Sequence, residues 1–156
     1  MHRLVLAVGA IGAIGVSAVL ASVVSAAAAQ PSAVPAKVSF SLSGSVAGGV
    51  KSAQVNNQVT FVFKEKNTGT VSSRPPFLIL KSLTHASQEN MSCVEPTGFL
   101  FLPDGSQCEP GIPADRGQSA SMVLSVTITA TPPETMSAEV CLSNGTTCKT
   151  LSVAVV

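Results

Sequence analysis

The dipeptide Asn144-Gly145, set between two β-rich runs, constrains this chain more than any other feature. Asn-Gly accepts the two positive φ angles of a type I′ turn, so Met136 to Val156 is predicted as one β-hairpin with those two residues as its loop. The loop then sets the register: Ser143 faces Thr146, Leu142 faces Thr147, Cys141 faces Cys148 and Ala138 faces Leu151. Directly opposed residues of an antiparallel pair lie about 4.5 to 5.5 Å apart at Cα, within reach of a disulfide. Met136, Ala138, Val140 and Leu142 share one face with Leu151, Val153 and Val155, and both cysteines take the other.

The N-terminus follows different rules. Met1-His2-Arg3 is a short basic head, and the Ala-, Val-, Gly- and Ile-rich run behind it carries no charge before Lys37. Ala27-Ala28-Ala29 ahead of Gln30 fits the small-x-small pattern of a processing site. Residues 1–29 are therefore read as a signal peptide of bacterial type and 30–36 as a flexible Pro- and Ala-rich leader. Export to the medium or the cell envelope follows. Retention of the helix is the alternative, since about 20 apolar residues span a bilayer; the chain would then be a membrane-anchored spacer.

Nine Lys and Arg stand against eight Asp and Glu, and removal of Arg3 with the signal brings the two into balance. Nucleic-acid binding needs clustered cations. The densest grouping here is Lys64 with Lys66, which share the outer face of a strand, so no nucleic-acid partner is expected. All four cysteines follow the signal, and an exported chain meets oxidising surroundings. No C-x-x-C pair occurs, which argues against zinc and redox motifs and for disulfides. Of the three possible pairings, Cys93 with Cys108 and Cys141 with Cys148 needs only local closure, and the hairpin register supports the second bridge independently.

With no Trp or Tyr and six Phe, the core must be built mostly from Val, Leu, Ile and Met. Lys37 to Leu42 alternates, with Val38, Phe40 and Leu42 on one face, until Gly44 to Gly49 ends it. Gln58 to Lys66 turns Val59, Phe61 and Phe63 inward and closes in the turn Asn67-Thr68-Gly69. Beyond the stop at Arg74-Pro75-Pro76, FLILKSL offers Phe77, Ile79 and Leu83 as a face. Thr84 to Ser92 reads as a loop carrying His85. The segment between Cys93 and Cys108 reads as a short hairpin turning at Pro103-Asp104-Gly105. Ser119 to Thr129 directs Ala120, Met122, Leu124, Val126 and Ile128 inward, and Pro132-Pro133 stops it. No segment after residue 30 shows a run of apolar residues at helical spacing. The expected fold is all-β: an immunoglobulin-like two-sheet sandwich of about seven strands.

Two pieces, VTFVFKEKNTGT (Val59 to Thr70) and ADRGQSASMVLSVTIT (Ala114 to Thr129), resemble the bacterial surface-repeat family catalogued as domain of unknown function eleven. In that family a strand ends in Asn-Thr-Gly, and a later turn leads into a Thr- and Val-rich strand. Here Asn67-Thr68-Gly69 and Arg116-Gly117-Gln118-Ser119 take those places. The resemblance implies an immunoglobulin-like module of envelope proteins, and the family has no common catalytic residues to carry over.

Enzymatic chemistry would have to use His85 as a base with a nearby Ser and carboxylate, and no G-x-S-x-G elbow accompanies it. A metal site would draw on His85 and Met91 with no third local ligand. No cofactor motif occurs. Phe99, Leu100, Phe101 and Leu102 are apolar on both faces of one short segment: one pair can point inward, and the other must be covered, by the loop at Thr84 to Ser92, or contact a partner. The reading is an exported, non-catalytic binding or structural module whose partner is a protein or an envelope component. The alternatives are the anchored spacer and a small secreted enzyme or metal-binding protein using His85.

Overall fold

Strict two-residue alternation in Gln58–Asn67 and Ser119–Ile128 places every second side chain in the interior, and these two strands pair along their whole length at the centre of one sheet. The structure, a computed structural model, describes residues 34–94, 100–101, 107–109 and 113–156. In chain order the strands are β1 (Phe40–Val46), β2 (Ser52–Ala53), β3 (Gln58–Asn67), β4 (Leu78–Thr84), β5 (Ala86–Val94), β6 (Leu100–Phe101), β7 (Gln107–Glu109), β8 (Ser119–Ile128), β9 (Thr135–Leu142) and β10 (Cys148–Val155). One sheet has the order β1-β3-β8-β5 and the other β2-β10-β9-β4-β7-β6. All pairings are antiparallel except that of β2 with β10. The fold is an all-β sandwich. Seven of its strands have seven or more residues, and β2, β6 and β7 are short additions at or near the edges of the second sheet.

The interior is filled as the alternation predicts. Val59, Phe61 and Phe63 of β3, Met122, Leu124, Val126 and Ile128 of β8, and Met136, Ala138, Val140 and Leu142 of β9 form one buried cluster with Val153 and Val155 of β10. Each large apolar side chain removed from water contributes about 1.5 to 3 kcal/mol. The two disulfides have the local pairing, Cys93 with Cys108 and Cys141 with Cys148, and among the described residues no cysteine is free.

Four local expectations change. The first strand starts at Phe40 and its ladder with β3 runs on through Gly44 and Val46, while Val38 is exposed. Lys37 to Ser39 are occupied otherwise: the Thr68 and Gly69 amides donate to the Ser39 carbonyl at 2.9 and 3.1 Å, and the Thr70 amide donates to that of Lys37 at 2.8 Å. A Cβ at Gly69 would run into the Lys37 carbonyl oxygen, so this crossing admits only glycine.

The final hairpin keeps its register, with Cys141 opposite Cys148 and Ala138 opposite Leu151, but its turn is not type I′. Only Gly145 has a positive φ, 72°; Asn144 does not. A two-residue loop would require the Ser143 amide to close on Thr146, and that amide instead donates to the Phe77 carbonyl at 2.8 Å, while the Phe77 amide donates to the Ser143 hydroxyl at 2.9 Å. The loop therefore closes one pair earlier, through Leu142 N–H to the Thr147 carbonyl at 2.9 Å. That shift alters the phase of the ladder: Cys141 and Cys148 become a non-hydrogen-bonded pair, the closer of the two kinds, with Cα atoms 4.0 Å apart.

In β4 the inward residues are Leu78, Leu80 and Leu83, so the expected Phe77, Ile79 and Leu83 face is right only at Leu83. The ladder with β9 slips between Leu80 and Ser82, and the extra residue, Lys81, flips the alternation. Finally, the expected loop at Thr84 to Ser92 is mostly strand, because β5 begins at Ala86. Its sequence hides this: β5 is an edge strand paired only with β8, and a second slip between Gln88 and Asn90 brings Ala86 and Met91, five residues apart, onto one face.

Candidate functional site

The segment singled out for partner binding lies at the outer edge of the six-stranded sheet. Leu100 and Phe101 form β6, whose backbone pairs with β7 so that Leu100 stands opposite Glu109 and Phe101 opposite Cys108. Phe99 and Leu102 lie outside the described residues. Cys108 is fully buried and its bond to Cys93 joins β7 of one sheet to β5 of the other, with Cα atoms 5.7 Å apart. The edge is thereby tied covalently across the sandwich. The residues 84–92 expected as a cover for this segment belong to β4, the corner and β5, so they are committed to their own ladders.

His85 is the single residue between β4 and β5, at the point where the chain passes from the six-stranded sheet to the four-stranded one. Its φ is 60°, a left-handed conformation in which His is over-represented among non-glycine residues. Its carbonyl accepts from the Thr129 amide at 3.0 Å, and its Nδ1 lies 2.9 Å from a Glu134 carboxylate oxygen. A carboxylate does stand beside the imidazole, then, but among the described residues no serine hydroxyl hydrogen-bonds it. Met91 is brought nowhere near: it is packed in the core opposite Leu124, four residues along β8 from the His85 corner at Ile128, or about 13 Å of strand. The pairing of His85 with Glu134 left no local sequence signal, because 49 positions separate the two residues and only the corner brings them together.

Two polar residues on the inward face of β3 are missed if the alternation is followed only to Phe63. Carried two and four positions further, it places Glu65 and Asn67 inside as well, each 1 % exposed. Asn67 is fully engaged. Its Nδ2 donates to the carbonyls of Ala114 at 2.7 Å and Val71 at 3.0 Å, its Oδ1 accepts from the Gly69 amide at 2.8 Å, and its backbone pairs with Gly117 and Gln118. It thus joins the turn after β3 to the turn before β8. Glu65 has neither carboxyl oxygen bonded to any described group, and burial pushes its pKa up from 4.5 to about 8.

On the outer face of the last hairpin, Glu139 lies two residues before Cys141 on β9, and Cys148 lies opposite Cys141 on β10. One Glu139 carboxylate oxygen and the two sulfurs are all within 4.8 Å of one another. Cys141 is buried, Glu139 half-buried and Cys148 exposed.

These features define an all-β sandwich of two sheets with one disulfide between the sheets and one within a hairpin. No family model matches the chain, and no curated protein matches it.

Proposed function

We propose that the chain is an exported, non-catalytic β-sandwich module that binds a protein or an envelope component through the β6 edge of its six-stranded sheet. One observation carries this: Leu100 and Phe101, from the stretch that is apolar at every position, form the outermost strand, and that strand is pinned to the body by the neighbouring β7 and its inter-sheet disulfide. Edge strands offer unpaired backbone groups to an added strand, and a fixed edge spares the ordering cost of binding. Export is supported by the apolar N-terminal segment and by two disulfides, which persist in oxidising compartments. The resemblance to the envelope-repeat family adds the envelope as the place of action.

Crosslinking the native protein in its host, with the partner identified by mass, tests the reading directly. The ladder sets Phe101 opposite fully buried Cys108 and Leu100 opposite half-buried Glu109. Accordingly Phe99→Ser with Phe101→Ser should lower the melting temperature, whereas Leu100→Ser with Leu102→Ser should leave it unchanged and abolish the crosslink. Equal and large loss of stability from both pairs would remove the binding proposal. The intact mass of the exported protein should start between Ala28 and Pro31; a mass that retains residues 1–29 would favour the anchored spacer instead.

A further inference from the structure

We infer that the outer face of the β9–β10 hairpin is a redox-gated site for a thiophilic divalent cation such as Zn²⁺, with Cys141, Cys148 and Glu139 as its ligands. The ligand set is complete enough to bind. Two thiolates and one carboxylate supply three of four tetrahedral positions, and water takes the fourth. C-x-x-C spacing is absent because the ladder, not a local loop, brings the donors together: Cys141 and Cys148 are opposed across two strands, and Glu139 reaches the same face by the two-residue repeat of β9. With the bridge closed, a Glu139 carboxylate oxygen already lies within 4.8 Å of both sulfurs. Zn–S bonds of about 2.3 Å at tetrahedral angles place two sulfurs roughly 3.8 Å apart, a separation that side-chain rotation provides without moving strands whose Cα atoms are 4.0 Å apart.

In the oxidised protein the two sulfurs are bonded to each other and the site is closed. Opening it takes two equivalents of a small thiol: the S–S bond of the protein breaks, a disulfide forms between the two small thiols, and their protons pass to Cys141 and Cys148. Metal binding then displaces those two protons to solvent. Cys148 is exposed, so the attacking thiol has access, whereas Cys108 in the other bridge is fully buried. The ligand frame survives opening because it does not depend on the bridge. β9 is paired on both sides, from Cys141 to Thr135 against β10 and from Leu142 to Ser137 against β4, and the inward faces of both partners lie in the core.

The test uses the full exported chain, reduced with a phosphine, desalted without air and titrated with Co²⁺ as a spectroscopic stand-in for Zn²⁺. The expected result is one Co²⁺ per chain with an intense thiolate-to-metal charge-transfer band, displaced by Zn²⁺, while the unreduced protein gives no band. Cys141→Ser with Cys148→Ser should abolish the band after reduction. Glu139→Gln should weaken binding by at least about tenfold, the lower end of what even a supporting contact to a metal ligand is worth. Circular dichroism of each sample reports the fold. A reduced wild-type protein that stays folded and gives no band overturns the proposal, as does one that unfolds, since the ligand frame is then absent. A band that persists in the Cys141→Ser, Cys148→Ser protein overturns it too by moving the site elsewhere, and unchanged affinity in Glu139→Gln removes the carboxylate from it.

Discussion

Glu65 and Asn67 sit two residues apart on the same inward face of β3, equally buried, yet every polar side-chain atom of Asn67 is hydrogen-bonded, whereas among the described residues none bonds either carboxyl oxygen of Glu65. The difference lies in what each faces. Asn67 reaches the sandwich end, where two turns present carbonyls and an amide. Glu65, one repeat further in, stands between Leu42 of β1 and Ala120 of β8 in the ladders of its sheet.

A buried, unpartnered carboxyl makes stability depend on pH in a set direction. With a pKa of about 8 folded and 4.5 in the unfolded chain, the folded state holds the proton more tightly. The stabilisation is complete below pH 4.5 and is lost as pH rises through about 8. At about 1.4 kcal/mol per unit, the change across this window is on the order of 5 kcal/mol. Denaturant melts from pH 4.5 to 9 should show stability falling over that span after allowance for the other groups. Glu65→Met should flatten the profile and exceed the wild type at pH 9; a variant with the wild-type slope would place the titration elsewhere.

Asn67→Ala removes three hydrogen bonds from a buried corner: the Val71 carbonyl loses its partner, while the Gly69 amide keeps the Ser39 carbonyl and the Ala114 carbonyl keeps the Ser73 amide. A lost hydrogen bond costs about 1 kcal/mol and an orphaned buried group about 1 to 3 kcal/mol, so thermal melting should drop by well over the change of a surface substitution. Asn67→Asp should be worse still at neutral pH, because it keeps the acceptor for Gly69 but turns an oxygen toward the carbonyls of Ala114 and Val71. Equal stability of the two variants would mean that the Nδ2 contacts contribute little.

His85 should prove structural. His85→Gly suits the left-handed corner and gives up only an exposed contact with Glu134, which is worth at most about 1 kcal/mol. His85→Val forces a β-branched residue to a φ of 60° and should cost about 1 to 2 kcal/mol more. Indistinguishable melting temperatures for the two would show that the corner relaxes to another conformation.

Gly145→Val tests the final turn in the same terms, since Gly145 is its only left-handed residue. A loss of about 1 to 2 kcal/mol should appear as a melting temperature several degrees lower. Asn144→Ala should cost less than a type I′ turn would demand, because Asn144 contributes only side-chain acceptance from the Thr146 amide and hydroxyl at 3.2 and 2.9 Å. An Asn144→Ala loss as large as that of Gly145→Val would contradict the turn described.

Of the proposed edge site, the antiparallel pairing of Leu100 and Phe101 with the segment at Cys108 was legible, while the expected turn at Pro103-Asp104-Gly105 lies outside the described residues; its place at the rim of the second sheet was not legible. His85 was legible as a lone exposed histidine, and its corner role was not. Periodicity is a local signal, so it specified β8 and most of β3, where side chains simply alternate between core and solvent; the register of Cys141 with Cys148 came from centring the loop on Asn144-Gly145. It failed at β4 and β5, where Lys81 and Glu89 each add a residue to one strand only. A bulge is a property of the pair, and a single strand's sequence does not contain its partner.

The amino-acid sequence by itself determined the all-β class, the two local disulfides and the inward residues of the regular strands, because each follows from contacts between near neighbours or from alternation alone. Tertiary structure decided the sheet each strand joins, the turn geometry at Gly145, where Phe77 takes the Ser143 amide, and the juxtaposition of Glu139 with two cysteines. It also decided that Glu65 would be buried with no partner among the described residues, since desolvation is the work of every strand packed around a residue and not of its neighbours in the chain.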